Sequence, residues 1–373
     1  MEVWETDDSR DSARLLKTVT CHQDSACRTL SFVNDGALLL TGSSDRSILA
    51  TDVSTGKPLS RLSNAHKSAV NRLVSIDRHT VASGDDDGVV KIWDTRQQTA
   101  CGQFAPFVDF VSDICHVPMG YGAGETVPEK QVTDPDTPGT SAEGEQSAVN
   151  THPGSLVVTS GDGTIGHLSL HNYKELGQSD TLDDELLSVC VLKNGRKAIA
   201  GSQTGTLNIF DYGKWEEYSD RFPGHPMSID SVIKVDEDTV LTGSSDGIIR
   251  IISILPNKML GVVGEHGDMP VERMCVSKDK TTLATASHDH TIKLWDVKYL
   301  WEEGARISIA GDGDDARLEL GDAAVDSDSD SDSEDNGKRK WKSKDSKKSK
   351  MQGSGEARSQ AKKQAAKKFF DGL

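Results

Sequence analysis

Aromatic residues make up only 5% of the 373-residue chain, and no stretch approaches the apolar length of a membrane-spanning helix, about eighteen residues. The second shortage excludes a helical membrane span. The acidic opening, MEVWETDDSRDSARLL, lacks the apolar segment of a secretory leader, so an intracellular chain is expected. Six cysteines (Cys21, Cys27, Cys101, Cys115, Cys190, Cys275) are scattered with no C-x-x-C pair. That spacing argues against a zinc ribbon and a disulfide framework, and predicts that most are small buried strand residues. Glycine, by contrast, is plentiful at 34 residues. Few aromatics and many glycines disfavour a helical bundle and suit short strands joined by tight turns. The length allows either two average domains or one large all-β domain.

The net charge of −17 is unevenly distributed. Eleven acids face one arginine between Gly311 and Asp335, and thirteen lysines or arginines face three acids between Asn336 and Leu373. These blocks cancel, so residues 1–310 carry the net negative charge. An acidic body is a poor duplex-binding surface, because duplex affinity rests on phosphate neutralisation.

A repeat organises the body. SDRSILATD, DDGVVKIWD, GDGTIGHLS, QTGTLNIFD, SDGIIRIIS and HDHTIKLWD end at residues 52, 94, 169, 211, 253 and 296. The intervals are 42, 75, 42, 42 and 43 residues. Each unit runs from small residues through an Asp or Gly turn into an alternating strand, the pattern of a WD-repeat β-propeller blade. The expected fold is therefore an all-β propeller over 13–300 with six detectable repeats: six blades, or a seven-blade fold lacking its first.

The long interval maps to residues 118–154, rich in Pro, Gly, Thr, Ser and Glu and without periodicity. A disordered loop within the third blade is expected, either a tolerated insertion or a docking segment. Six repeats close a ring if residues 13–20 supply the outermost strand of the last blade by pairing with 291–296. Residues 301–373 are expected to form a disordered tail, acidic and then basic.

His66, Ser83, Asp87 and Trp93 in the second repeat, and His266, Thr285, Asp289 and Trp295 in the sixth, stand where a hydrogen-bonded chain from imidazole to indole is expected. Histidines beside aspartates suggest catalysis. A set that recurs at the repeat period is better read as structure, since an unmatched buried polar group costs about 1–3 kcal/mol and such a network fixes register. No paired carboxylates, nucleophile elbow or metal-ligand spacing lies outside these positions, and SGDGT at 160–164 lacks the lysine and helix of a phosphate loop. Neither enzyme activity nor a cofactor or metal is expected.

ILATDVSTGK, NAHKSAVNRL, ASGDDDGVVKIWDTRQ, DDELLSVCVLKNGRKAIAGSQTGTL, GIIRIISILPNK and the terminal KKFFDGL resemble the WD repeat-containing protein 55 family, most of all its plant-type members. The likeness spans about residues 20–300, and ILPN in place of a Trp-Asp end is its most specific mark. That family normally has seven repeats, and the resemblance implies that this chain begins after the first; the 118–154 insertion is outside its pattern. The resemblance implies a non-catalytic nuclear or nucleolar scaffold tied to ribosomal RNA production, with pre-ribosomal factors as partners and some cytoplasmic protein possible.

The tail fits that expectation. Ser327, Ser329 and Ser331 have acids three residues on, resembling sites of acidophilic kinases of the casein kinase 2 type. Lys338, Arg339, Lys340, Lys342, Lys344, Lys347, Lys348 and Lys350 form a basic run suited to nuclear import, with a plain solvated tail as the alternative. Only Trp341 offers a base-stacking surface there, so direct RNA binding is expected to be weak.

Arg96 has no role in a strand that ends at Asp94. Residues 81–96 resemble the box through which substrate receptors of cullin-4 ubiquitin ligases dock damage-specific DNA-binding protein 1, which implies that Trp93, Asp94 and Arg96 make the adaptor contact. A plain surface arginine is the other reading.

Overall fold

The computed structural model describes residues 2–6, 13–19, 21–22, 25–97, 99–121 and 154–301, with two short strands beyond them. Successive hairpins build six antiparallel sheets, each a blade. The chain opens with a separate hairpin of β1 (Glu2–Thr6) and β2 (Ala13–Thr18). Blade one is β3 (Cys27–Val33), β4 (Leu38–Ser43), β5 (Ile48–Asp52) and β6 (Pro58–Leu62). Blade two is β7 (Val70–Ser75), β8 (Thr80–Asp85), β9 (Val90–Asp94) and β10 (Ala100–Phe104). Blade three is β11 (Val111–Val117), β12 (Ser155–Ser160), β13 (Ile165–Ser169) and β14 (Glu175–Gln178). Blade four is β15 (Leu186–Leu192), β16 (Lys197–Ser202), β17 (Leu207–Asp211) and β18 (Asp220–Phe222). Blade five is β19 (Ile229–Lys234), β20 (Thr239–Ser244), β21 (Ile248–Ser253) and β22 (Lys258–Glu265). Blade six has three strands, β23 (Val271–Val276), β24 (Thr282–Ser287) and β25 (Ile292–Asp296). A single 3₁₀ turn, Lys298–Leu300, follows, and then the pair β26 (Ile307–Ile309) and β27 (Leu318–Leu320). The rest of 301–373, including the kinase-type serines and the basic run, lies outside the described residues, as does 122–153.

The first strand of each blade contacts that of the next, from β3 through β7, β11, β15 and β19 to β23. All six blades line one central cavity of about 360 Å³, through Arg28, Asn71, Val111, Leu187, Asp230 and Arg273 among others. This is a propeller channel. Alternating apolar residues on the strands bury both faces of the inner blades, which explains the Val, Ile and Leu content of β9, β12, β17 and β21.

Blade-to-blade packing is close at the turn between second and third strands. A Cβ at Gly205, whose φ is +86°, would lie 2.4 Å from the carbonyl oxygen of His225 in the next blade. Only glycine fits there. The reward is a backbone bond, His225 N to Gly205 O at 3.2 Å, with counterparts from His66 to Arg46 and from His266 to Gly247.

Two expectations are corrected. Residues 13–18 pair with β1 rather than with β25, so among the described residues the last blade keeps an unpaired edge strand. The physical reason is that Glu2–Thr6 offers β2 a local antiparallel partner, and local pairing costs less loop entropy than pairing across the whole chain. The cysteines are not mostly buried: Cys190 is, but Cys27 and Cys275 are exposed, and both stand on first strands, those of blades one and six.

Those blades carry uncovered faces. Ile292 and Leu294 of β25 are 71% and 38% exposed, and Leu30 and Phe32 of β3 are 53% and 51% exposed. The residues equivalent to the first pair in blade two, Val90 and Ile92, are fully buried beneath blade three.

Candidate interaction sites

Between His66 and Trp93 the hydrogen-bonded chain forms, with one member changed. His66 Nε2 and Trp93 Nε1 both meet Ser83 Oγ, at 2.6 and 2.7 Å, while His66 Nδ1 meets Asp85 Oδ2 at 2.8 Å. The aspartate is Asp85, not Asp87. Asp85 ends β8 with its side chain buried, whereas Asp87 is exposed in the turn, where its backbone N–H donates to Asp85 Oδ1 and to Ser68 Oγ, both at 3.1 Å. Burial pushes the Asp85 carboxyl up, but hydrogen bonds from His66 and from Val89 N outweigh it and hold the group ionised.

The sixth blade keeps all four expected members. His266 bonds Asp289 at 2.8 Å and Thr285 at 2.7 Å, and Trp295 Nε1 donates to Thr285 at 2.9 Å. The His266 bond holds Asp289 down to about 2. Two further stacks escaped the sequence reading. His22 bonds Asp45 and Thr41, both at 3.0 Å, and His225 bonds Thr242 at 2.8 Å. Their signal was present: a histidine in the loop ahead of each first strand, as in CHQDSAC and GHPMSI. It was hidden because Thr51 and Ile252 stand where blades two and six have tryptophan. Blades three and four replace the stack by apolar residues, Phe107, Val158 and Leu168 in one and Leu182, Ala200 and Phe210 in the other.

Arg96 has a partner in its own blade. Its Nε donates to Asp94 Oδ1 at 2.9 Å and its Nη2 to Oδ2 at 2.6 Å, a two-pronged clamp on a buried carboxylate. The Arg96 hydrogen bonds hold Asp94 down to about 2 against the opposing effect of burial. The Arg96 side chain is nevertheless 59% exposed. Beside it, between blades one and two, lies a cavity of about 60 Å³ lined by Leu40, Ile48, Ala50, Leu62, Val81 and Trp93 among others.

Arg96 lies between the third and fourth strands of its blade, and the 118–154 insertion leaves between the first and second strands of blade three. Antiparallel order puts both on one face of the propeller. At the base of the insertion Tyr121 Oη donates to Glu237 of blade five at 2.7 Å, joined by Lys234 and by Asn194 N. Three blades are thereby tied together on that face.

Inside the channel, side chains on the first strands reach forward to the next blade. Thr29 Oγ1 accepts from Leu73 N at 3.0 Å, Arg72 Nε donates to Asp113 at 2.7 Å, Asp113 accepts from Val189 N at 3.1 Å, and Ser188 Oγ donates to Ile229 O at 3.0 Å. Each latching residue follows the bulge that opens its strand.

With this geometry in view, the family described as "WD domain, G-beta repeat" matches residues 13–50, 56–94, 216–253 and 257–296. Those are the blades with histidine stacks. The apolar blades three and four are unmatched. The chain is 40% identical over 296 residues to WD repeat-containing protein 55 of Arabidopsis thaliana, covering 79% of this chain and 74% of that protein. It is 37% identical over 298 residues to the WD repeat-containing protein 55 homolog of Dictyostelium discoideum, covering 79% of this chain but 63% of that one. Among solved structures, a chain of the Mitotic Checkpoint Complex crystal structure superposes with a TM-score of 0.60 at 14% identity, over 79% of this chain and 81% of that chain, a likeness of fold.

Proposed function

The chain belongs to the WD repeat-containing protein 55 family, and from that membership we propose that it is a nuclear, nucleolar scaffold serving ribosomal RNA production. The WD40 propeller is a platform for protein partners, and its histidines and aspartates are spent on blade structure. The identity to the Arabidopsis relative over 79% of the chain carries the proposal. The Ser-Asp block and the basic run of the tail support it: phosphates on Ser327, Ser329 and Ser331 deepen an acidic patch, and the lysines suit an import receptor. Depletion of the chain should slow maturation of pulse-labelled pre-ribosomal RNA, with rescue by wild type and not by a version lacking 338–350 fused to a bulky reporter. Normal pre-ribosomal RNA after depletion sinks the role. A nuclear signal from the bulky fusion without 338–350 sinks the import run.

A second reading rests on Arg96. Its fork is pre-aligned on Asp94 yet largely open to solvent, beside an apolar cavity, which suits docking of damage-specific DNA-binding protein 1 and cullin-4. Arg96→Ala should weaken adaptor affinity at least tenfold and Arg96→Lys less, because lysine keeps the charge without the fork. Equal binding by all three proteins removes this reading.

A further inference from the structure

The residue just after a third strand, β9, β13, β17, β21 or β25, is Thr95, Leu170, Tyr212, Ile254 or Val297. Its backbone is held alike in all five blades. Thr95 N donates to His79 O at 2.7 Å, as Leu170 N does to Gly154 O, Tyr212 N to Arg196 O, Ile254 N to Asp238 O and Val297 N to Thr281 O. Only the side chain and its burial differ. Leu170, Ile254 and Val297 are fully buried and Tyr212 is partly buried, whereas Thr95 is exposed.

Across each junction this residue meets the middle of the third strand of the preceding blade. Leu170 shares a core cluster with Ile92, Ile254 with Ile209, and Val297 with Ile251, while Tyr212 Oη meets His167 Nε2 at 2.8 Å. At the junction of blades one and two the same two places hold Thr95 and Ala50. The cavity of about 60 Å³ lies there, with both residues on its wall. Ala50 stands where blades two, four and five have fully buried isoleucines, so both members of the pair are cut short together. What the other four junctions fill is left open here. An apolar wall of this kind gains most from an apolar occupant.

The rim of the cavity is polar. Thr95 and Gln97, both exposed, line it, and Arg96 stands between them in the chain. Arg96 gives Nε and Nη2 to Asp94, and among the described residues its Nη1 hydrogens have no acceptor. A guanidinium in that state suits a further carboxylate.

We propose that this cavity takes a leucine or isoleucine side chain from a protein partner, and that an aspartate or glutamate beside it in the partner bonds Arg96. The size and character of the occupant are those of Leu170, Ile254 and Val297, which fill the equivalent place in three junctions. Its charge is set by Arg96. The proposal rests on the reading of Arg96 as a docking residue, though not on which protein docks.

The probe is 4-methylpentanoate, which joins a leucine-like end to a carboxylate, titrated into the full chain while the indole N–H resonance of Trp93, on the cavity wall, is followed by NMR. A saturable shift is expected in wild type, lost in Thr95→Leu and in Ala50→Ile and weakened severalfold by Arg96→Ala. Each filling variant installs a residue type that other blades carry at that place, so each should melt no lower than wild type. No saturable shift, or one that survives both fillings, overturns the proposal. A shift of equal affinity in Arg96→Ala overturns its carboxylate half. Binding of damage-specific DNA-binding protein 1 separates the cavity from the reading beneath it. Loss of adaptor affinity by about tenfold or more in both filling variants supports the cavity. An adaptor weakened by Arg96→Ala but not by the fillings leaves the docking arginine standing and overturns the cavity. If the adaptor binds no version, the adaptor reading falls and the titration alone decides the cavity. A wild-type dimer that either filling breaks gives the cavity to a second copy and overturns the proposal.

Discussion

Arg96 sits beyond the last strand residue of its blade and still has structural work, because Asp94 is buried and ionised and the guanidinium is its counter-charge. Replacing Arg96 by alanine should therefore lower the melting temperature at neutral pH, by less than Trp93→Ala, which empties a blade core at a cost of about 3–5 kcal/mol. The direction with pH follows from the depressed Asp94 value of about 2. The clamp's contribution is complete above the ordinary carboxylate value near 4 and fades as pH falls toward 2. Melts of wild type and Arg96→Ala should differ at pH 7 and differ less at pH 2.5. Neighbouring aspartates separate equally clearly. Asp85→Ala strips a buried histidine of its partner and should cost on the order of 1–3 kcal/mol. Asp87→Ala, in the exposed turn, should stay within about 0.5 kcal/mol. Equal urea midpoints for the two variants would contradict the assignment of Asp85 to the stack. Sequence spacing led to Asp87 because it stands six residues before its tryptophan, as Asp289 does. In a run of three aspartates, spacing alone does not say which one ends the strand facing inward.

At the scale of a strand or blade, the repeat was legible because alternation and turn glycines recur at a fixed interval, and all six marked strands are third strands of their blades. β11 ends at Val117 and β12 begins at Ser155, the bounds between which the insertion falls. The pairing of β2 was not legible. An edge strand of six residues carries no mark of which neighbour it takes, and β1 is nearer in sequence than β25. Blades also differ in how they are held, and acid should reveal it. Burial holds His167 of blade three and His225 of blade five down to about 4, Arg250 assisting at His225. The unfolded chain binds a proton at each near pH 6.5, so their neutral burial is fully stabilising above about 6.5 and is lost as pH falls toward 4, by up to about 3 kcal/mol each. Urea midpoints measured from pH 7.5 to 4.5 should fall more steeply for wild type than for the His167→Gln, His225→Gln double variant. Parallel curves would mean that other groups govern the acid limb.

For the whole molecule, the six blades form a series with two unlike ends. The four junctions from blade one to blade five each carry a forward latch, from Thr29 and Leu73 through Ser188 and Ile229, while Arg273 of blade six bonds back to Asp230 of blade five and the first and last blades turn apolar side chains outward. The channel and its rim were beyond sequence reading, since the latches join residues some forty or more positions apart and only the ring brings them together. The most direct measurement is the rate of maleimide labelling at each cysteine of the native, dilute chain, read by peptide mass spectrometry. An open flank predicts that Cys275 and Cys27 react in the native chain, more slowly than a free thiol because partial burial raises both thiols, while Cys190, buried in the fourth blade, reacts only after unfolding. Protection of Cys275 to the level of Cys190 would contradict the account, because it requires the last blade to be covered as the inner blades are.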